Sequence, residues 1–200
     1  MRVERPGKRV RDADRCTTLD PMTISRLLRA GMALTCVLTN PAPAAALPDD
    51  GAAPALTAAQ RRVLLEATAR FRDPRRAKAA GYLPTDHCVP GMGHHWTHPG
   101  HAADQAIDPV LPEILLYVPG RDGRPVLAGI EYFKADADGS LRTSGDRPTL
   151  FGRRFDGPMA GHELPPGSPP MPVHYDLHVW LYQHNPVGEL ATENPRITCR

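Results

Sequence analysis

The residues best suited to chemistry lie close together in one short histidine-rich segment. His94, His95, His98 and His101 fall within eight residues, and three glycines accompany them. Neutral imidazole is a common protein ligand for Zn, Cu, Ni and Fe, and a glycine-rich backbone lets neighbouring imidazoles turn toward one ion. The alternative is a solvated loop whose histidines bind nothing. Because H-E-x-x-H and C-x-x-C spacings are absent, only the density of histidines predicts metal binding here.

A second group of metal-ligating side chains lies on a predicted strand over residues 173–183. Successive side chains of a strand point to opposite faces, so this segment has one apolar face and one polar-aromatic face. The polar-aromatic face consists of His174, Asp176, His178, Trp180 and Tyr182. Such a face is often simply exposed, but the two large aromatic residues indicate that this one is covered.

Glu131 is a third candidate, because it lies in the middle of a predicted strand between Ile130 and Tyr132. Alternation places it on the same face as Leu127 and Phe133. A buried carboxylate needs a cation or hydrogen-bond donors to offset its loss of water. The sequence therefore predicts that a cation or a set of hydrogen-bond donors lies beside Glu131.

We predict from these three segments a metal site with His95, Glu131 and His178 as ligands, formed where the strand of Glu131 neighbours the strand of His178. Three protein ligands leave one coordination position open. By ligand type, Zn or Cu fits this set best. Four further histidines are secondary candidates, namely His94, His98, His101 and His174.

Two metal-free interpretations stand beside this hypothesis. In the first, the chain is a binding module whose pocket for a small apolar ligand is lined by Trp96, Tyr132, Trp180 and Tyr182. In the second, it is a structural envelope protein without a ligand. The chain lacks a G-x-S-x-G elbow and a phosphate-binding glycine loop with lysine, so neither a serine hydrolase nor a nucleotide enzyme is indicated. An open metal position suits binding and catalysis alike, and no particular reaction is predicted.

The elements that would position these residues are read from hydrophobic periodicity and turn signals. Thr57 and Gln60 form a capping box that begins a helix over 57–72, and Asp73 caps a second, short helix. The predicted strands are 113–118, 126–134 and 173–183. The stretch 85–112 is predicted to be irregular, and 135–172 is predicted to consist of long loops with one short strand. This order predicts an α+β fold, with N-terminal helices packed on a small antiparallel sheet that has long Pro/Gly-rich loops.

The first quarter of the chain is typical of a targeting sequence. Arg26 and Arg29 precede an apolar run over 30–38, and alanines at 44–46 provide a cleavage site. A run of about ten residues is too short to span a membrane. The predicted organisation is a start-site extension over 1–21, a secretory signal over 22–46, a flexible mature N-terminus over 47–56 and a single globular domain over 57–200. We therefore expect a periplasmic or extracellular protein without stable membrane insertion.

Removal of the predicted signal changes both the charge and the cysteine count. Residues 1–46 hold eight of the 24 basic and four of the 22 acidic residues, which leaves 16 against 18 and a net charge near −2. A nucleic-acid partner is therefore not expected, since it would need a basic domain. Cys88 and Cys199 remain, and in an oxidising compartment they are predicted to form a disulfide. A two-cysteine metal site is the alternative. The sequence indicates no oligomeric state.

Short motifs extend along nearly the whole mature chain. They are Ala67-Thr68-Ala69-Arg70-Phe71, Ala80-Gly81-Tyr82, Gly91-Met92-Gly93 followed by His95, Pro112-Glu113, Leu116-Tyr117, Glu131-Tyr132, Leu150-Phe151-Gly152, Leu177-His178-Val179-Trp180, Asn185-Pro186 with Gly188, and Asn194-Pro195-Arg196 with Cys199. Together these motifs resemble those of a family of uncharacterised exported bacterial proteins. The resemblance implies export but no established activity. In that family position 94 is more often Tyr, which implies that His95 matters more than His94.

Overall fold

The computed structural model describes residues 55–162 and 170–199. The predictions for 1–21 and 22–46, and nearly all of that for 47–56, lie outside this part of the chain. Within it, an antiparallel sheet of six strands is combined with short helices. The predicted mixed α+β class is therefore confirmed.

Short helices begin the described chain. Thr57 accepts a hydrogen bond from the backbone N–H of Gln60, whose side chain accepts one from the backbone N–H of Thr57. Asp73 caps the second helix in a similar way through the N–H of Arg75. None of the helices in the described ranges is long and apolar enough to cross a membrane. The helices are α1 (Ala58–Thr68), extended by a 3-10 turn (Ala69–Arg72), then α2 (Pro74–Ala79) and α3 (Pro99–Asp104).

The strands form one large sheet and one small pair. The large sheet has the order β1-β2-β3-β4-β8-β7, and β5 pairs with β6. The strand β8 follows β7 in the chain but lies between β4 and β7, so it makes antiparallel pairs on both sides. The strands are β1 (Cys88–Val89), β2 (Gly93–Thr97), β3 (Ile114–Pro119), β4 (Pro125–Ala135), β5 (Thr149–Leu150), β6 (Arg153–Arg154), β7 (Asp156–Met159) and β8 (His174–Val179).

Both faces of the central strands are covered by apolar side chains. On the helix-side face, Leu115 and Ile130 are fully buried in one cluster with Leu64 and Phe71 from the helical segment. Each such side chain contributes on the order of 1.5–3 kcal/mol through burial. The cluster on the opposite face is smaller and consists of Ile114, Leu116, Ala128, Phe133, Trp180 and Ile197. Coverage on both sides explains why β3 is an almost continuous apolar run.

A β-bulge between β3 and β4 changes the face on which Leu127 lies. Tyr117 pairs with Leu127, whereas the preceding residue of β3 pairs with Gly129, so Ala128 is the extra residue. Leu127 therefore packs on the helix-side face, and Ala128 packs on the opposite face. The prediction that Leu127 shares a face with Glu131 is wrong, because the bulge interrupts the alternation.

The prediction of an irregular stretch over 85–112 is wrong at β2 and at α3. Strand β2 pairs with β3 over four positions. Helix α3 begins after His98, and the ring of His98 caps the helix by accepting a hydrogen bond from the N–H of His101. Glycine and histidine carry little strand propensity, so β2 is a strand because its neighbour β3 provides a partner. The predicted loop over 135–172 also contains more than one short strand, since β5, β6 and β7 lie within it.

The last strand is shorter than predicted, and this moves Tyr182. Strand β8 ends at Val179, so the alternation expected up to residue 183 stops there. Trp180 stays on the face opposite the helices, where its indole N–H donates to the carbonyl of Ala191 at 2.7 Å. Tyr182 lies on the helix side, and its hydroxyl is 2.8 Å from Oγ1 of Thr68. The predicted placement of Tyr182 beside His178 is therefore wrong.

The predicted disulfide between Cys88 and Cys199 is present, with a Cα–Cα distance of 5.7 Å and a sequence separation of 111 residues. The same C-terminal segment is bonded to the turn after β1. The N–H of Gly91 donates to the carbonyl of Ile197, and the N–H of Asn194 donates to the carbonyl of Gly91. The segment thereby fixes the turn that leads into β2.

We expect the disulfide to contribute strongly to stability, because it closes a long loop in the unfolded chain. Replacing both Cys88 and Cys199 by Ser should lower the free energy of unfolding by up to about 4.7 kcal/mol, the chain-entropy value for a loop of roughly a hundred residues. Urea unfolding of the wild type and the double variant measures this difference. A change below about 1 kcal/mol would contradict the expectation.

Candidate metal centre

Strands β2, β4 and β8 of the large sheet bring His95, Glu131 and His178 together on the face opposite the helices. Glu131 of β4 and His178 of β8 are direct cross-strand partners. His95 comes from β2, on the other side of β3, where it pairs with Leu116, whereas Glu131 pairs with Ile114 of the same strand. The ligand atoms of the three side chains lie within 4.8 Å of one another. We refer to these three residues as the cluster.

Both imidazoles of the cluster approach the same carboxylate oxygen. Nε2 of His95 lies 3.1 Å from Oε2 of Glu131, and Nε2 of His178 lies 3.5 Å from the same atom. The two rings are nearly perpendicular, with an interplanar angle of 87°. The side chains of Glu131 and His178 are only 3% and 1% exposed, whereas that of His95 is 17% exposed. Solvent therefore reaches the cluster from the His95 side.

The close atoms of the cluster do not satisfy one another by hydrogen bonding. Nε2 of His95 lies at a hydrogen-bond distance of 3.1 Å from Oε2 of Glu131 and helps to lower the pKa of that carboxyl, but Oε2 makes no hydrogen bond of acceptable geometry among the described residues. Nε2 of His178 is likewise buried without a partner there. Tetrahedral coordination with metal–ligand bonds near 2.05 Å separates ligand atoms by about 3.3 Å. The two Nε2–Oε2 distances lie on either side of that value, and all three ligand atoms are within 4.8 Å of one another, so the group could hold a metal ion.

The electrostatics of the cluster favour the charged forms of both central residues. Burial on its own would raise the pKa of Glu131, but the two imidazoles outweigh this and hold it well below its usual range. Burial would also lower the pKa of His178, but Glu131 and Asp176 reverse this and raise it to about 9. A metal ion bound to Nε2 of His178 would replace the proton on that nitrogen. The charge of the ion would then balance the Glu131 carboxylate in place of the imidazolium.

Two glycines allow the backbone to place these side chains. Gly93, at φ +90°, begins β2, and a Cβ there would lie 2.5 Å from the carbonyl oxygen of Tyr117. Gly129 of β4 lies against β8, where a Cβ would be 2.6 Å from the carbonyl oxygen of Val179. The ring of Trp180 fills the space beside this position and stacks near His178, with ring centroids 6.2 Å apart.

The secondary histidine candidates lie outside the cluster. Nδ1 of His94 is 3.1 Å from the carbonyl of Thr85, and alternation along β2 points this side chain away from His95. The rings of His98 and His101 stack on each other at 3.7 Å, and each has a ring nitrogen near a backbone carbonyl. His174 shares a face with His178 but packs on Phe133 at the far end of β8. Within residues 55–162 and 170–199, the cluster is the group of three side chains suited to a metal ion.

The four aromatic residues proposed to line a pocket do not meet in one place. Trp96 and Tyr132 are buried in the helix-side cluster, and Tyr182 packs against it, whereas Trp180 is buried on the opposite face. A cavity of about 400 Å³ does lie beside β2, between α2 and the β3–β4 turn, but Trp96 is the only one of the four that lines it. Their shared feature is burial rather than a common cavity.

Sequence reasoning missed the burial of Glu113, a residue near the cluster. Glu113 is 1% exposed; its Oε2 accepts a hydrogen bond from the backbone N–H of Phe133 at 3.1 Å, and its Oε1 has no partner among the described residues. Burial raises the pKa of Glu113 to about 8, although the N–H of Phe133 favours the carboxylate. The sequence feature that could have indicated the burial of Glu113 is its position directly before the apolar run of β3.

Comparisons with protein-family models, with curated proteins and with solved structures found no match for this chain. The class of the protein therefore rests on its own fold and residues. It is an α+β protein with an antiparallel sheet, a disulfide, and a buried group of two histidines and one glutamate that could hold a metal ion.

The buried carboxyl of Glu113 predicts a pH dependence of stability. Glu113 loses its proton near pH 4.5 when unfolded and near pH 8 when folded, so between these values the folded state holds the extra proton. Its contribution to the free energy of unfolding should fall as pH rises through this window, by up to about 1.4 kcal/mol per pH unit. Glu113→Gln should remove this slope, because the amide resembles the protonated acid.

Urea unfolding between pH 5 and 8 in the presence of a chelator measures the difference between wild type and Glu113→Gln. Glu66→Gln is the matched control, because Glu66 is an exposed carboxylate of α1 with 72% of its side chain accessible. The control should keep the wild-type slope. Parallel pH curves for wild type and Glu113→Gln would show that Glu113 ionises normally in the folded state.

Proposed function

We propose that this chain is an exported transition-metal-binding protein whose ligands are His95, Glu131 and His178. The observation that supports this most is the convergence of two imidazole nitrogens on one carboxylate oxygen, at 3.1 and 3.5 Å, without hydrogen-bond geometry. Buried polar atoms normally have a hydrogen-bond partner, and a set left without one is costly. A shared metal ion would satisfy all of these atoms at once.

The ligand set favours Zn or Cu in this proposal. Imidazole suits Zn, Cu, Fe and Ni, and a carboxylate beside two imidazoles also occurs in catalytic zinc sites. Three protein ligands leave room for water or for an external ligand, and the partial exposure of His95 provides an approach. When bound, the ion would supply Lewis acidity at that open position. The protein residues would hold the ion and keep bulk water away from Glu131 and His178.

The proposed location agrees with the bonding of the cysteines. The disulfide between Cys88 and Cys199 indicates a non-reducing compartment, because cytosolic thiols are kept reduced. Export through the signal over 22–46, to the periplasm or beyond, is part of the proposal, as is membership of the exported bacterial family. Oxygen and nitrogen ligands suit this compartment well, because they are not consumed by disulfide formation.

The proposal predicts about one metal ion per chain in wild type and none in His178→Ala. The full chain is expressed for export, purified without an affinity tag, incubated with Zn²⁺ or Cu²⁺, dialysed without chelator and measured by mass spectrometry. Removal of His178 leaves two ligands and a buried Glu131 without its direct cross-strand partner. Metal retention should therefore be lost.

His174→Ala is the matched control for this measurement. His174 lies on the same face of the same strand and is 2% exposed, but its ring contacts Phe133 and the carbonyl of Pro172 rather than the cluster. This variant should retain the metal while suffering a comparable loss of packing. Equal metal content in all three proteins, or none in wild type, would refute the proposed function.

A further inference from the structure

A second buried carboxylate lies on β8 next to the cluster and is not one of its proposed ligands. Asp176 precedes His178 by two residues, so strand alternation places both side chains on the same face. Asp176 is 5% exposed. Its Oδ1 is buried without a hydrogen-bond partner among the described residues. A carboxylate oxygen in this state is costly unless a donor is provided.

The second ring nitrogen of His178 lies close to Asp176. Nε2 of His178 faces Glu131, and Nδ1 lies 3.7 Å from Oδ1 of Asp176. This distance is longer than a hydrogen bond, and Nδ1 also has no partner in the described part of the chain. The two unpartnered atoms therefore face each other, and a shift of about half an ångström would bring them within hydrogen-bond range.

The surroundings of Asp176 make a purely structural role unfavourable. Its direct partner on β7 is Asp156, and like charges in opposite positions of paired strands destabilise a sheet. Asp156 is already engaged, because Arg153 donates to its Oδ1 at 3.0 Å and Thr192 donates to its Oδ2 at 2.6 Å. Its partner on β4 is the apolar Phe133. The ring of His178, by contrast, directs its Nδ1 to within 3.7 Å of Oδ1 of Asp176.

We propose that Asp176 is a positioning residue of the metal centre: its Oδ1 accepts the Nδ1–H of His178 and thereby directs Nε2 toward the ion. This inference rests on the proposed function, because it assigns a role around the same centre. Metal-ligating histidines usually donate their other N–H to a carboxylate or carbonyl, which fixes the tautomer and the ring orientation. No step of this role requires Asp176 to touch the ion.

The test compares the Zn²⁺ affinity of the wild-type full chain with that of Asp176→Ala and Asp176→Asn, by competition with a chromophoric chelator. Loss of a carboxylate behind a metal-ligating histidine typically weakens metal affinity 10- to 100-fold. We expect a loss of this size for Asp176→Ala. Asp176→Asn should give a smaller loss, because the amide keeps its size and a neutral acceptor oxygen. Glu113→Gln, which alters another buried carboxyl on a different strand, should bind Zn²⁺ as tightly as wild type.

Two further readouts separate positioning from a general loss of packing. Nitrogen NMR of the Zn²⁺-loaded protein should show His178 protonated at Nδ1 in wild type and a less uniform ring signal in Asp176→Ala. The visible spectrum of bound Co²⁺ should shift in Asp176→Ala and return toward the wild-type spectrum in Asp176→Asn. Because Asp176→Asn is nearly the same shape as the native residue, it keeps the test valid if the alanine variant does not fold.

The outcomes separate this inference from the function on which it rests. If wild type binds Zn²⁺ and both Asp176 variants bind it equally well with unchanged Co²⁺ spectra, the positioning role is overturned while the metal centre stands. If wild type itself binds neither Zn²⁺ nor Co²⁺, the proposed function is overturned and the role of Asp176 goes with it. Weaker binding with a shifted spectrum in the variants supports both.

Discussion

The cross-strand pairing of Glu131 with His178 is the constraint around which the rest of the cluster is arranged. Both side chains are buried on one face of the sheet, and each would be unfavourable there without the other. A slip of one residue between β4 and β8 would move Glu131 into the apolar helix-side core, so the pairing register has a large penalty against error. His95 can join the pair because β2 presents it from the far side of β3.

The two faces of the sheet differ in composition. The helix-side face is a conventional apolar core, and its buried tyrosines satisfy their hydroxyls with backbone carbonyls, as Tyr82 does with Pro112 and Tyr132 with Pro109. The opposite face combines a smaller apolar cluster with the buried ionisable residues Glu131, Asp176 and His178. The larger apolar cluster on the first face offsets the cost of burying these polar groups on the second. The bulge in β4 changes which side chains lie on each face, since it places Leu127 on the helix side and Ala128 on the opposite side.

Much of this arrangement could be predicted from alternation alone, and the failures have physical causes. Strands β3, β4 and β8 have clear apolar patterns, which is why the sequence could predict Glu131 and His178 at facing positions of neighbouring strands. The strand that carries His95 could not be predicted, because Gly-His-His-Trp-Thr has no apolar period and becomes a strand only through pairing with β3. The bulge has no sequence signature here, and the burial of Glu113 depends on packing contributed by distant segments.

The position of β8 in the sheet makes its pairing with β4 a long-range one. Strands β3 and β4 are joined by a short turn, but β8 follows β4 only after a stretch of about forty residues and lies between β4 and β7. Until it docks, β4 presents an open, apolar edge that includes Glu131, and such edges invite pairing with other chains. Long-range pairings of this kind form slowly. Any form of the chain in which β8 has not docked would therefore carry this exposed edge, and the pairing that places His178 opposite Glu131 covers it.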